Sequence, residues 1–281
     1  MKKFLVVTNE FKDERLVITE RLQKHIEKRG GQCETLLYHP NGLNRLEFDR
    51  DADCILVLGG DGTLLMVARE ASIQGIPILG INLGTLGFLA EVEVPKMEEA
   101  IDRLFRDDFS CEDRLMLDGK IERQGNETVQ ISPALNDITI TRCGTLQIIR
   151  YRIFVNHKFL CRLSADGVIL STPTGSTGYN MSAGGPIADP DARMILLTPI
   201  CAHSFNAKSI IFSSDNVIEV EIDEGCDGNP IEVEVSADGN EKYKFRTGDR
   251  LIVSTANTTA KIIKLNQTSF LEALHRKMSE C

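Results

Sequence analysis

Residues 59–63 read Gly-Gly-Asp-Gly-Thr, between the apolar run Cys54-Ile55-Leu56-Val57-Leu58 and Leu64-Leu65-Met66-Val67-Ala68. A buried strand ends there and a helix begins. In open α/β sheets, ligands bind beyond the carboxyl ends of the strands. Glycines such as Gly59, Gly60 and Gly62 carry no Cβ, so an anionic group can reach backbone N–H donors. A carboxylate at that point, Asp61, can hold a metal or orient a hydroxyl. The turn is not a Walker A loop, because Gly-Lys-Ser/Thr is missing. It also lacks the last glycine of the dinucleotide fingerprint. Backbone amides and a carboxylate would therefore handle phosphate without a lysine. A tight strand-to-helix turn is the plain alternative, since Asp-Gly is a common turn dipeptide.

A second glycine segment, Gly80-Ile81-Asn82-Leu83-Gly84-Thr85-Leu86-Gly87-Phe88, follows the next apolar run. Adjacent strands end side by side, so its amides are expected beside the first turn, with Phe88 able to stack on a base. The third segment, residues 164–186, is dense in small hydroxyl residues and glycines: Ser171, Thr172, Thr174, Ser176, Thr177 and Ser182. Such a stretch builds no core, but it offers many donors to phosphate and ribose oxygens. Tyr179, Pro173 and Pro186 argue against a slack serine-glycine loop. Asn136-Asp137 sets an amide beside a carboxylate at a strand start, an arrangement able to grip a ribose diol. Val235-Ser236-Ala237-Asp238-Gly239-Asn240 reads first as a β-hairpin turn.

The elements that must position these residues fall into two textures. Strands are expected at 4–7, 35–38, 55–58 and 78–81. They alternate with helices at 14–29, 63–72 and 96–106, the last opened by Pro95. That alternation implies an α/β N-terminal domain with a mostly parallel sheet. After about residue 110, short Thr-, Val- and Ile-rich runs recur at 138–141, 147–155, 167–171, 217–222, 231–235, 250–254 and 261–264. They imply a β-rich, sandwich-like C-terminal domain. An amphipathic segment at 269–278 is expected to return to the first domain. The boundaries read as 1–108 plus 265–281 for the α/β domain and 109–264 for the β-rich one.

With 281 residues the chain can bury a substantial core, and 42% hydrophobic and 26% charged residues are those of a soluble globular protein. A net charge of −9 argues against a broad nucleic-acid surface. No stretch is long and apolar enough to span a bilayer, and the run Phe4–Val7 is too short for a signal peptide. The 8 cysteines form no Cys-x-x-Cys pair and read as reduced cytoplasmic thiols. Cys201-Ala202-His203 is set aside as a metal or nucleophile pair, for want of a partner.

Taken together, the segments resemble the NAD kinases, particularly the bacterial type. The matches are Gly59-Gly60-Asp61-Gly62-Thr63, Gly84-Thr85-Leu86-Gly87-Phe88-Leu89, Asn136-Asp137, Asp166-Gly167 and Thr172-Pro173-Thr174-Gly175-Ser176-Thr177-Gly178-Tyr179. Ser182-Ala183-Gly184-Gly185-Pro186, Leu197-Thr198-Pro199-Ile200-Cys201-Ala202-His203-Ser204 and Asp238-Gly239 complete them. The glycine turn is shared with phosphofructokinases and diacylglycerol kinases, whereas the Thr-Pro-Thr-Gly-Ser-Thr run is far more specific. The resemblance implies transfer of a phosphoryl group from ATP or polyphosphate to the 2′-hydroxyl of the adenosine ribose of NAD, making NADP.

The resemblance makes Asp61 the catalytic residue. It implies NAD binding by Asp61, Gly62 and Phe88, and by Asn136, Asp137, Ser164 and Asp166. Thr174, Thr177, Gly178, Tyr179, Asn180, Met181 and Ser182 extend that set, and Asn240 completes it. Gly59, Gly60, Gly62, Thr63, Gly184 and Gly185 are expected to meet ATP phosphates. Mg²⁺ or another divalent metal is expected to be held mainly by substrate phosphates. A homodimer or homotetramer is implied, with sites completed by a neighbouring subunit. The sequence departs from the family pattern at Asp137, where glutamate is usual, at Gly178 and Ala202, and over Asn206-Ala207-Lys208-Ser209.

Overall fold

Two patterns of burial divide the chain in the computed structural model, which describes residues 1–39, 51–84, 87–143, 148–203, 207–225, 228–265 and 270–279. Thr85, Leu86, Ser204 and Asn206, named above, lie outside the described residues, as do residues 147 and 269, which open two expected elements, and the cysteines Cys226 and Cys281. The chain separates into two units, Met1–Arg114 with Thr258–Cys281, and Leu115–Asn257.

In the first unit the strands Cys54–Gly59 and Ile78–Asn82 are buried along their whole length. Continuously apolar strands of this kind suit parallel sheets covered on both faces. Among the described residues the sheet order is Gln32–Tyr38, Lys3–Asn9, Cys54–Gly59, Ile78–Asn82, Ala260–Lys264, Ser110–Arg114, with Val92–Glu93 pairing beside Ile78–Asn82. Every pairing is parallel except the last on the main path, between Ala260–Lys264 and Ser110–Arg114. Leu22 and Ile26 from the helix Val17–Lys28, and Met97, Ile101 and Leu104 from Met97–Phe105, share one core with Leu56, Leu58 and Leu79. The helix Asp61–Gln74 buries Leu64, Val67, Ala68 and Ala71, and Gly75 ends it in a left-handed conformation at φ 71°. The helix Phe270–Ser279 returns to this unit. Its Phe270 ring lies 6.2 Å from that of Phe88, and Lys277 Nζ lies 4.8 Å from the Phe88 centroid.

Two expectations are corrected here. The segment 14–29 is not one helix: Glu14–Leu16 forms a 3-10 turn, Arg15 and Leu16 have φ 59° and 57°, and the α-helix begins at Val17. The reason is the buried Asp13. Its carboxylate accepts the N–H of Ile18 (3.0 Å), the N–H of Thr19 (2.8 Å) and the hydroxyl of Thr19 (2.6 Å), which fixes a later helix start. The strand at 261–264, expected in the β-rich region, belongs to the first sheet instead. Its neighbouring Ile262 and Ile263 are both buried, which suits a sheet covered on both sides.

The second unit holds two antiparallel six-stranded sheets among the described residues. One runs Lys158–Ala165, Ile149–Val155, Ile218–Ile222, Arg250–Thr255, Leu117–Glu122, Thr128–Ala134. The other runs Ile210–Ser213, Met194–Ile200, Gly167–Ser171, Asp137–Arg142, Glu232–Ala237, Glu241–Arg246. Residues from both, among them Ile121, Tyr151 and Val220 from the first and Ile140, Val168 and Phe245 from the second, meet in one core. That is how a sandwich packs.

Replacing Asp13 with alanine leaves two helix N–H groups without their acceptor. The Asp13→Ala protein should lose about 2 kcal/mol of stability, read as a lower urea midpoint. An unchanged midpoint would show that Asp13 does not set the helix start.

Candidate active site

In the first unit the chain leaves the Cys54–Gly59 strand through Gly60, extended at φ −127° and ψ −172°, and enters its helix at Asp61. The Asp61 carboxylate turns toward the second glycine segment. Its Oδ2 accepts the N–H of Phe88 at 2.8 Å, and its Oδ1 accepts those of Leu89 and Ala90, each at 3.3 Å. A Cβ on Gly87 would come within 1.9 Å of Asp61 Oδ1, so only glycine permits this approach. The two glycine segments are also joined by the Leu83 N–H, which donates to Gly59 O at 2.8 Å. An ionised carboxylate has about four lone pairs. Phe88, Leu89 and Ala90 occupy three, so among the described residues one on Oδ2 is left for a further donor.

The buried Thr63 belongs to the first helical turn. Its hydroxyl accepts a hydrogen bond from the Asn9 side-chain amide at 3.2 Å. A Cβ on Gly59 would meet that hydroxyl at 2.5 Å. Contrary to the expectation of a turn without a lysine, Lys12 reaches it: a Cβ on Gly60 would lie 2.8 Å from Lys12 Nζ, and one on Gly84 3.7 Å from it. Nothing in the sequence singled Lys12 out. A cavity of about 390 Å³ in this unit is lined by Gly87, Phe88, Glu91, Lys96, Arg103 and Lys264 among others, but Asp61 does not line it.

In the second unit, a loop at 172–178, buried as far as Ser176, packs on Asn136. Thr172 donates its N–H to Asn136 O (2.9 Å) and its hydroxyl to Leu135 O (2.6 Å). A Cβ on Gly175 would come within 2.1 Å of Asn136 O. Asp238, at the hairpin turn, accepts the N–H groups of Leu135 (2.8 Å), Asn136 (2.7 Å) and Asp137 (3.0 Å). The sequence marked Asp238-Gly239 as a turn, and gave no signal of this second task.

Asn136 Oδ1 and Thr174 Oγ1 are buried without a hydrogen-bond partner among the described residues, so both remain open to a polar ligand. Asp137 is buried beside them. Desolvation first, and then the charge of Asp238, push its carboxyl up to about 7. The Tyr179 hydroxyl is raised by burial first, and then by Cys201, Asp137 and Asp166, which places those groups around it. Asp166 pairs with Arg142 and with His203 Nε2, each at 3.3 Å, and the His203 N–H donates to Ser164 O at 2.8 Å. His203, set aside on sequence grounds, therefore joins Ser164 and Asp166.

Other expected contacts sit differently. Asn180 is fully buried, and its amide is committed to Ser176 O, Pro186 O and the Thr198 hydroxyl. A Cβ on Gly185 would strike that amide at 2.2 Å, and Gly184 turns at φ 82°, so the loop itself accounts for both glycines. Gly178 and Thr177 are half-buried, with a Gly178 Cβ position 3.5 Å from Asn136 Nδ2. Met181 and Ser182 are exposed on the short helix Tyr179–Ser182, and Asn240 is exposed at the hairpin turn.

The ATP-NAD kinase N-terminal domain model matches residues 4–109, and the ATP-NAD kinase C-terminal domain model matches residues 135–265. An NAD kinase of Agathobacter rectalis is 46% identical over 283 residues, covering 99% of both chains. One of Lachnoclostridium phytofermentans is 41% identical over 285 residues, covering 100% of both. The fold is that of yeast NADH kinase in its complex with NADH, with TM-score 0.86, 22% identity, and coverage of 99% of this chain and 88% of that one. It is also that of an NAD kinase from Archaeoglobus fulgidus in complex with ATP, with TM-score 0.78, 24% identity, and coverage of 98% and 99%. The chain belongs to the ATP-NAD kinase family.

The raised Asp137 carboxyl has a consequence for stability. Its ordinary value is about 3.9, so the protonated fold contributes stability that is complete below that pH and lost as pH rises through about 7. Asp137→Asn cannot ionise. Its urea midpoint should fall less than the wild-type midpoint between pH 5 and pH 8, and parallel profiles would refute the assignment.

Proposed function

We propose that the chain is an NAD kinase that transfers the terminal phosphoryl group of ATP to the 2′-hydroxyl of the adenosine ribose of NAD. The observation that carries this reading is the Asp61 carboxylate, fixed by three backbone N–H groups and, among the described residues, with one Oδ2 lone pair open. In an in-line transfer the ribose oxygen forms the new bond to the γ-phosphorus. The bond from that phosphorus to its bridging oxygen breaks, ADP leaves, and the hydroxyl proton passes to Asp61 and then to solvent. A hydroxyl is a weak acid, so Asp61 orients it first and accepts its proton as attack proceeds. Gly59, Gly60 and Gly62, which carry no side chains, admit the donor phosphates to the turn, while the Thr63 N–H is held by Gly60 O at 3.0 Å.

The open Asn136 Oδ1 and Thr174 Oγ1, with Asp137, Asp166 and Tyr179, support dinucleotide binding by the second unit. Asn180, Gly184 and Gly185 shape that loop from within. Asp137 is one methylene shorter than the usual glutamate, so a water completes its reach to a ribose hydroxyl. A divalent cation would arrive on the donor's phosphates. Among the described residues no three His, Cys, Asp or Glu side chains gather to hold one. The family resemblance supports a homodimer or homotetramer, and cysteines without Cys-x-x-Cys spacing support the cytoplasm.

Incubation with ATP, Mg²⁺ and NAD should yield NADP and ADP together. Asp61→Asn should lower turnover about 100-fold or more while NAD binding changes little. Near-normal turnover in that variant refutes the base assignment, and tight NAD binding without ADP release in the wild type refutes the kinase reading.

A further inference from the structure

Phosphoryl transfer develops negative charge on the donor's terminal phosphates, and enzymes answer it with cations as well as backbone amides. The glycine turn at 59–63 contains no cation. Lys12 comes from elsewhere in the chain, in the loop after the strand Lys3–Asn9, and its ammonium lies over both glycine segments, beside Gly60 and within reach of Gly84.

That placement is built rather than incidental. The buried Asn9 holds the loop closed: its carbonyl accepts the N–H groups of Lys12 (3.0 Å) and Asp13 (3.2 Å), and its Oδ1 accepts the N–H of Phe11 (3.1 Å). The same side chain donates to Thr63 in the first turn of the Asp61–Gln74 helix, tying the loop to the glycine turn. Asp13, the adjacent acid in sequence, is buried and already accepts hydrogen bonds from Ile18 and Thr19. Among the described residues no carboxylate pairs with Lys12. An exposed ammonium held against two glycine surfaces, with the adjacent acid in sequence committed elsewhere, is arranged to receive an anion that the glycines admit.

We propose that Lys12 binds the terminal phosphates of the phosphoryl donor, supplying from the first loop the cation that the glycine turn lacks. The assignment rests on the kinase reading above. It is a point charge on flexible methylenes, suited to a group that moves from donor to acceptor.

Calorimetric titration of the full chain with ATP, and separately with NAD, tests the assignment without relying on turnover. Lys12→Gln should weaken ATP binding about tenfold or more and leave NAD binding within about twofold. It should also flatten the salt dependence of ATP binding, because one screened charge is gone. Lys12→Arg should restore ATP binding to within about threefold, with all three proteins sharing one urea midpoint. Unaltered ATP binding in Lys12→Gln overturns the proposal. So does equal weakening for ATP and NAD with a lowered midpoint, which would mark a structural role. If the wild type binds ATP but forms no NADP, the kinase reading fails and the ATP titrations still decide the Lys12 assignment. Absence of ATP binding by the wild type overturns both.

Discussion

One interaction recurs in both units and fixes their functional segments: a carboxylate that accepts hydrogen bonds from three successive backbone N–H groups of a distant segment. Asp61 grips residues 88–90, and Asp238 grips residues 135–137. Each hydrogen bond to a charged group is worth about 1.5–3 kcal/mol net, so three on one acid hold a loop firmly without a metal or a disulfide. The device also leaves the acid in a defined orientation. For Asp61 that orientation exposes one lone pair. For Asp238 it sets a charge near Asp137 and helps keep that neighbouring carboxyl protonated.

Such close approaches demand the smallest residue on the facing backbone. Gly87 clears the Asp61 carboxylate, Gly175 clears the carbonyl of Asn136, and Gly185 clears the amide of Asn180. These glycines are explained by what stands opposite them more than by their own dihedral angles. None of these three has a positive φ, although the neighbouring Gly184 does. Density of glycine in a sequence thus reports tight packing of polar backbone as much as it reports turns.

Much of this was legible in the sequence. The strand Gly167–Ser171, the glycine C-cap at 75, the Asp238-Gly239 hairpin and the strand-to-helix turn at Asp61 all follow from local pattern. Strands such as Leu117–Glu122 and Glu241–Arg246 did not stand out, because alternation with charged residues dilutes their apolar signal. The late start of the first helix depends on the buried Asp13, which looks like any other acid in the sequence. Non-local geometry was the main loss. Neither Lys12 beside Gly60 nor His203 beside Asp166 is encoded by spacing, since the strands that bring them together are far apart in the chain.

The Asp238 hairpin also limits how the chain can be rebuilt. Hairpin tips are ordinarily where tags, reporters or a new pair of chain ends are grafted with least harm. Here the tip reverses through two residues at φ 48° and 70°, and the first carries the acid that secures a segment from another strand. Adding or deleting a single residue would swing that acid to the opposite side of the ribbon. An exposed loop that invites splicing is therefore one whose length cannot vary.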